Sequence, residues 1–264
     1  MSPSDRPSGR PRLVFGDDGA PPADTAWRWL TSQEWSGWDI EVMTADTDDT
    51  RVKWGEPPAV EEWTPTWGRS EAIPGAVAVR FLKAATDPRA MLADREDADV
   101  ILLGLSAHSM LRGMVTGSTT EWLLHHPPSP LVVAQSPEQV NKVTVCADGS
   151  THSRAALGAF TALPLASETR VTVLAVDDGR TDARHAAQEA AALLDGKVRE
   201  VSMVVVEGQP TTVILEQVEE NYSELVVLGT RGLTGWQRLV LGSTASAVVR
   251  GVACTSLVAS ADMG

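Results

Sequence analysis

The feature that most constrains the fold of this chain is an internal repeat. Residues 100–134, VILLGLSAHSMLRGMVTGSTTEWLLHHPPSPLVVA, parallel residues 225–259, LVVLGTRGLTGWQRLVLGSTASAVVRGVACTSLVA, at a constant offset of 125. Residues 13–17 also parallel residues 144–148, at an offset of 131 that allows six residues of length difference in between. Self-similarity of this kind predicts one fold written twice, joined near residues 136–141.

The length of the chain agrees with this repeat, because 264 residues suit two domains of ordinary size. We predict a leader over residues 1–11, one domain over residues 12–138 and a second over residues 139–264. The leader is polar and rich in proline, with no apolar stretch after its positive charges. It is therefore predicted to be disordered and not a signal peptide.

The second copy has the pattern of a parallel α/β fold, since short aliphatic runs alternate with helix signals. Strands are predicted near residues 142–147, 170–176, 201–206, 225–229 and 256–260. Helices are predicted from Ser150 to Leu163, from Asp182 to Leu194, and from Pro210, a residue type favoured at the first helical position.

The first copy has the same ends but a different middle. Residues 46–75 hold Trp54, Trp63 and Trp67 among Pro, Glu and Thr, with no helical period, so we predict a long irregular loop in place of a helix. The tryptophans of this copy are interpreted as core and loop packing, in preference to an aromatic ligand cage. The tryptophan-rich loop is also a candidate surface for a homodimer.

Charge, hydropathy and cysteine usage exclude several classes of partner. The net charge of −13 divides into −9 up to residue 140 and −4 after it, with no basic stripe for a nucleic acid. No apolar run reaches the length of about 18 residues that a membrane helix needs. Cys146 and Cys254 lie inside apolar runs and fit no metal spacing, which predicts two buried thiols and suits the cytoplasm. The histidines are scattered, and the pair His125-His126 precedes Pro127, so no metal site is predicted.

Three glycines in the second copy point to a site for an anion. Gly229 ends an aliphatic, β-branched run typical of a buried strand, and Gly232 and Gly242 follow at fixed intervals before a helix-like segment that starts at Ser243. Glycines let another group approach the main chain closely. The first N–H groups of a helix are unpaired and carry its positive dipole end. The sequence therefore predicts a receptor for phosphate oxygens.

Other residues of the second copy would lie at the same edge of the sheet as this phosphate receptor, which we call the rim. Ser243 or Thr244 would add a hydroxyl donor, and Arg231 is the cation inside the first turn. In a doubly wound sheet, ligands bind outside the carboxyl ends of the strands. Asp148 and Val176 stand at two of those ends, although an acidic residue there can equally cap a helix.

Taken together, these segments resemble the universal stress protein family. The resemblance rests on Val145-Cys146-Ala147-Asp148-Gly149-Ser150, on Gly208-Gln209-Pro210 and on the spacing G-x2-G-x9-G-S. It implies two tandem, doubly wound, parallel five-stranded sheets of Rossmann-like type, packed as a pseudo-symmetric pair through residues 131–135 and 256–260. It also implies ATP, with or without Mg²⁺, as the ligand. The implied contacts are Asp148, Val176, Gly229, Gly232, Gly242 and Ser243.

The first copy departs from the family pattern where a ligand would meet the backbone. Our sequence alignment places Ala107 opposite Gly232, Leu105-Ser106 opposite Thr230-Arg231, and Lys83-Ala84-Ala85 opposite Gly208-Gln209-Pro210. Asp17, Gly104, Gly117 and Ser118 remain. We therefore expect about one nucleotide per chain, bound in the second copy.

Neither a Walker lysine nor a G-x-S-x-G nucleophile motif occurs, and no catalytic residue is assigned. The expected function is an ATP-binding stress-response regulator with slow or no turnover. The alternatives are a dimerisation scaffold that binds no nucleotide and a weak ATPase.

Overall fold

One mixed sheet runs through the described part of the protein. The computed structural model describes residues 9–46, 60–64, 68–70, 72–105, 119–180, 182–230 and 241–261. Within these ranges the sheet has eleven strands. We use "first half" for residues 12–138 and "second half" for residues 139–264.

The first half contributes six strands and three helices within the described ranges. The strands are β1 (Arg12–Gly16), β2 (Asp39–Ala45), β3 (Val60–Glu62), β4 (Ala78–Ala84), β5 (Val100–Gly104) and β6 (Leu131–Ala134). The helices are α1 (Pro21–Ser32), α2 (Pro88–Ala93) and α3 (Thr119–His125).

The second half follows the predicted alternation closely. Its strands are β7 (Lys142–Cys146), β8 (Arg170–Asp177), β9 (Glu200–Glu207), β10 (Leu225–Gly229) and β11 (Thr255–Ala259). Its helices are α4 (Thr151–Ala162), α5 (Ala183–Leu194), α6 (Pro210–Glu220) and α7 (Ser243–Gly251), with a 3-10 turn at Pro164–Glu168. Ser150 and Asp182 cap α4 and α5 through their side chains, and Pro210 opens α6. The predicted α/β pattern is confirmed here.

The strand order shows how the two halves meet. It reads β3-β4-β2-β1-β5-β6-β11-β10-β7-β8-β9, and β6 pairs with β11 in antiparallel register, with Val132 opposite Leu257. All five strands of the second half run parallel, as do five of the first half. The predicted pairing of the two last strands within one chain is confirmed, and the two sheets merge into one.

Helices cover both faces of this sheet. One apolar cluster packs α1, α4 and α5 on one face, and the other packs α2, α3, α6 and α7 on the opposite face. Between β6 and β7 the chain is held as well, since the buried Val140 donates its N–H to Gln33 Oε1 at 3.1 Å. The junction predicted at residues 136–141 is therefore anchored at Val140, while residues 137–139 and 141 are exposed.

The irregular loop predicted over residues 46–75 is wrong in part. Val60–Glu62 forms β3, which pairs antiparallel with the end of β4 and covers that edge of the sheet. A strand of three residues, two of them Glu, is too short to show an alternating pattern, and periodicity therefore does not predict it. Trp63 packs against the core of the first half. Trp54 and Trp67 lie outside the described residues.

Core packing is confirmed as the role of the described tryptophans nearest α1. Trp29 and Trp35 are fully buried and Trp38 nearly so. Their rings meet edge to face, with centroids 6.1 Å apart for Trp29 and Trp35 and 5.7 Å for Trp35 and Trp38. Trp35 also donates its Nε1–H to the Leu30 carbonyl at 2.8 Å, which satisfies its polar group inside the core.

Both cysteines are free thiols, and Cys254 is buried as predicted, whereas the residue surface of Cys146 is only partly buried. Burial raises the pKa of the Cys254 thiol to about 12 and also raises that of Cys146, which is additionally close to the charge of Asp148. Such thiols are poor nucleophiles. Among the helices that the structure describes, none is long and apolar enough to cross a bilayer.

Candidate functional site

The turn after β7 holds Asp148 in place. Gly149 has a positive φ of 75°, and Asp148 Oδ1 accepts the N–H of Ser150 at 2.9 Å. Ser150 Oγ in turn accepts the N–H of Ser153 at 3.1 Å. Asp148 is half-buried. One of its oxygens therefore serves the turn, and the carboxylate stands at the carboxyl end of a central strand.

The next strand brings Val176 to the same rim. β8 pairs with β7, and Val176 lies half-buried against the apolar cluster of α6 and α7. The turn that follows β9 needs glycine, because Gly208 has a φ of 147°. Gln209 Oε1 then accepts the N–H of Thr212 at 2.8 Å and caps α6.

The lack of a side chain at Gly229 lets the start of α4 pack closely against the end of β10. A Cβ at this position would lie 2.7 Å from the backbone carbon of His152 and 2.7 Å from the backbone nitrogen of Ser153. Gly104 meets the first turn of α1 in the same way, at Pro22 and Ala23. These two glycines let each helix start close against the end of its strand, a packing role that needs no ligand.

The segment between Gly229 and Gly242 is closed at its two ends by one backbone hydrogen bond, which we call the neck. Gly242 donates its N–H to the Thr230 carbonyl at 2.7 Å, so the strand end and the start of α7 are tied together. Gly242 is the N-cap of α7 and supplies no side-chain cap. Ser243 is exposed and Thr244 half-buried. The first N–H groups of α7 are thus left without a side-chain acceptor at the cap position.

Thr230 is the residue of this site that sequence reasoning missed. It is buried, its carbonyl closes the neck, and its hydroxyl has no hydrogen-bond partner within the described ranges. A comparison of the two copies singles out this position, because the polar Thr230 aligns with the apolar Leu105. Arg231 and Gly232 lie outside the described residues.

The sheet order brings the predicted residues of the described part to one edge. β10, β7 and β8 are neighbours and parallel, so Gly229, Asp148 and Val176 follow three adjacent strand ends. Gly242 joins them through the neck at Thr230. The arrangement can accept an anion at α7 and an uncharged group over the ends of β7 and β8.

Backbone hydrogen bonds correct our alignment of the first half. Asp18, and not Asp17, is the counterpart of Asp148, because Leu13 pairs with Val100 as Val143 pairs with Leu225, which sets an offset of 130 residues between β1 and β7. Asp17 instead matches Ala147, since each donates its N–H to the adjacent strand at 2.9 Å. Both aspartates follow the strand directly, and a sequence cannot show which of them turns toward the helix.

The helix start after β4 is a second correction. Ala45 pairs with Ala84 as Val176 pairs with Val206, which places Thr86-Asp87-Pro88 opposite Gly208-Gln209-Pro210. Pro88 opens α2, and Asp87 caps it by accepting the N–H of Arg89 at 2.8 Å. The proline that our sequence alignment placed at residue 85 is therefore present three residues later, with Thr86 in place of the glycine.

Asp17 is held by an arginine from the loop that precedes β4. Arg69 Nε lies 2.8 Å from Asp17 Oδ2, and a terminal nitrogen lies 2.9 Å from Asp17 Oδ1. The other terminal nitrogen reaches Asp24 at 2.8 Å, and the guanidinium lies 5.2 Å from the centroid of the Trp27 ring. Burial opposes the charge of Arg69, but the two carboxylates outweigh it, so its pKa is raised.

Comparisons with known proteins agree with the fold. The model of the family described as Universal stress protein family matches residues 10–135 and 177–260. A universal stress protein of Mycobacterium tuberculosis is 25% identical over 280 aligned positions, which cover 90% of this chain and 92% of that protein. One from Methanocaldococcus jannaschii is 41% identical over 54 residues, 20% of this chain and 32% of that protein. The crystal structure of a universal stress protein from Archaeoglobus fulgidus matches with a TM-score of 0.63 at 20% identity, covering 94% of this chain and 96% of the other.

Proposed function

The chain belongs to the universal stress protein family, and from this premise we propose that it is an ATP-binding regulator of the stress response. In this proposal the second half holds the nucleotide at the carboxyl edge of its strands, and turnover is slow or absent. Its two free thiols with raised pKa values suit the reducing cytoplasm, where we place it.

The observation that carries the proposal is the open start of α7. Gly242 brings no capping side chain, while its N–H ties the loop shut on the Thr230 carbonyl. The next N–H groups, from Ser243 and Thr244, begin the helix at an accessible position. Phosphate oxygens at this point would gain backbone hydrogen bonds and the positive end of the helix dipole.

The remaining predicted contacts would divide the ligand between them. Asp148 would accept hydrogen bonds from the ribose or base, and Val176 would pack against the adenosine. Arg231 would balance phosphate charge, and Gly232 would let the backbone approach the phosphates. These roles rest on the family resemblance and on the shared rim of β10, β7 and β8.

Slow turnover follows from how the carboxylates of this rim are used. Asp148 Oδ1 accepts the N–H of Ser150, and Asp177 Oδ1 accepts that of Gly179 at 3.0 Å. Each of these two carboxylates therefore has one oxygen bonded to the backbone of its own turn. Efficient hydrolysis needs a base aimed at the attacking water.

A scaffold without nucleotide is the second candidate, and one observation favours it. Gly229 and Gly104 are both explained by the close approach of a helix to a strand end. That packing is needed whether or not a ligand binds. The scaffold would depend only on the fold and on surfaces for partners, including a second copy of the chain.

The first experiment is mass spectrometry of any ligand released from gently purified protein, followed by calorimetric titration with ATP in the presence and absence of Mg²⁺. Gly232→Val would place side-chain atoms in the phosphate path and should abolish binding in a folded protein. Ala107→Val is the matched control, because it changes the corresponding residue of the first half. Unchanged ATP affinity in folded Gly232→Val, or an empty wild-type protein that ignores ATP, would favour the scaffold.

A further inference from the structure

A cleft of about 310 Å³ opens in the first half, at the carboxyl edge of β1, β2 and β5. Its apolar lining comes from both the sheet and α2, and includes Met43, Met91, Leu92 and Leu103. This volume lies at the lower end of the range for small-molecule sites. Methionine side chains adapt to ligands of irregular shape, so the cleft suits a compact molecule with an apolar body.

The cleft differs in shape from the matching place in the second half. By backbone register, Gly16 stands where the second half has Cys146, and Ala45 stands where it has Val176. Leu103 and Leu92 lie so close to Gly16 that a Cβ there would meet them at 2.7 and 2.9 Å. The smaller Ala45 is half-buried and lines the cleft. The sheet side of the cleft is therefore wider at β2.

The charges around the cleft are reversed as well. α1 and α4 begin at matching positions, which places Asp24 opposite Arg154. The hydrogen bond and charge of Glu189, and then the charge of Asp148, raise the pKa of Arg154. In the first half, by contrast, Arg69 is shared between Asp17 and Asp24.

Asp18 is left as the uncompensated charge at the mouth of the cleft. It is exposed, and no basic side chain of the described residues forms an ion pair with it. None of the described residues that line the cleft is Lys or Arg. Among the described residues the cleft therefore offers a carboxylate and no cation, and a protonated amine would gain a partner there.

We propose that the cleft of the first half binds a small organic amine, with its apolar body over Met43, Met91 and Leu103 and its ammonium group at Asp18. This goes beyond nucleotide binding in the second half, because it assigns a separate site and a ligand class of opposite charge. The two halves then hold different ligands in one chain.

The test uses phenethylamine as the probe, with neutral phenethyl alcohol and anionic hydrocinnamate as matched compounds, followed by ligand-observed NMR on the full chain. For a ligand of this size we expect a dissociation constant of about 1 mM for the amine. The alcohol should bind about fivefold more weakly, as the loss of an exposed ion pair implies, and hydrocinnamate should not bind detectably.

Three variants locate the site. Ala45→Phe should fill the cleft and abolish amine binding, whereas Val176→Phe, at the matched position, should leave the amine affinity unchanged. Asp18→Asn keeps the acceptor for Ala20 and should weaken the amine about fivefold, with the alcohol unaffected. Because Asp18 is exposed, this variant tests the proposal even if Ala45→Phe fails to fold.

Several results would overturn the proposal. Equal binding of hydrocinnamate, or unchanged amine affinity in Asp18→Asn, would contradict the role of charge. Full amine binding in a folded Ala45→Phe protein would place the amine elsewhere. Saturable ATP binding that Ala45→Phe abolishes and Val176→Phe does not would make the cleft a nucleotide site.

Discussion

Truncating Arg69 should destabilise the protein far more than a surface ion pair would suggest. The guanidinium makes two hydrogen bonds to Asp17, at 2.8 and 2.9 Å, and one to Asp24 at 2.8 Å. The side chains of Arg69 and Asp17 are 4% and 0% exposed, but that of Asp24 is 48% exposed. Arg69→Ala would remove this guanidinium from a carboxylate that stays buried.

The expected magnitude follows from these exposures. Removing one partner of a buried pair costs about 3–5 kcal/mol, because the other charge stays buried and uncompensated. The ion pair between Arg69 and Asp24 is half exposed to solvent and contributes at most about 1 kcal/mol to the free energy of unfolding. For a chain of this size, a loss of about 3–5 kcal/mol lowers the melting temperature by roughly 6–20 °C. Asp24→Asn should lower it by no more than roughly 4 °C.

The assay is thermal and urea unfolding followed by circular dichroism, with wild type, Arg69→Ala, Asp24→Asn and the double variant Asp17→Asn/Arg69→Met. The double variant removes both charges and should recover most of the lost stability, since no charge then remains buried alone. If Arg69→Ala melts within about 4 °C of wild type, or if the double variant is no more stable than Arg69→Ala, the reasoning about a buried pair is refuted.

Four further outcomes are expected. Residues 139–264 expressed alone should dimerise or aggregate through the exposed edge of β11, and a stable monomer at high concentration would show that this edge needs no partner. Gly104→Ala and Gly229→Ala should each destabilise the protein by several kcal/mol in urea unfolding, because a Cβ atom there meets the backbone of a helix. The control Gly158→Ala, on α4, meets open space and should stabilise the protein by about 0.5–1 kcal/mol. The Cys254 thiol, whose pKa burial raises to about 12, should react with a disulfide reagent at pH 8 much more slowly in the native protein than in urea. Calorimetry should give about one ATP per chain, and two equal sites would contradict this.

Local chemistry explains why the second half was readable from sequence. Its strands are short β-branched or aliphatic runs buried on both faces, such as Leu225–Gly229. Three of its helices start at a capping side chain, Ser150 or Asp182, or at Pro210. Each signal depends on neighbours in the chain, so a single sequence carries it.

The features that could not be predicted from the sequence depend on contacts between residues that are distant in the chain. Arg69 and Asp17 are 52 residues apart, and no periodicity links them. The choice between Asp17 and Asp18 as the counterpart of Asp148 is made by backbone hydrogen bonds. The spacing of Gly229 was visible, but which neighbour uses the space could be seen only once α4 was placed against β10.

The antiparallel pairing of β6 and β11 determines the side of the molecule from which a ligand can reach each half. Because the five parallel strands of the first half run opposite to the strands of the second half across this pairing, the carboxyl edges of the two halves open toward opposite sides of the molecule. If the proposed amine and nucleotide both bind, they would approach the chain from opposite sides. A protein that sensed both occupants would have to wrap around the long sheet, whereas two separate proteins could each dock over one edge at the same time.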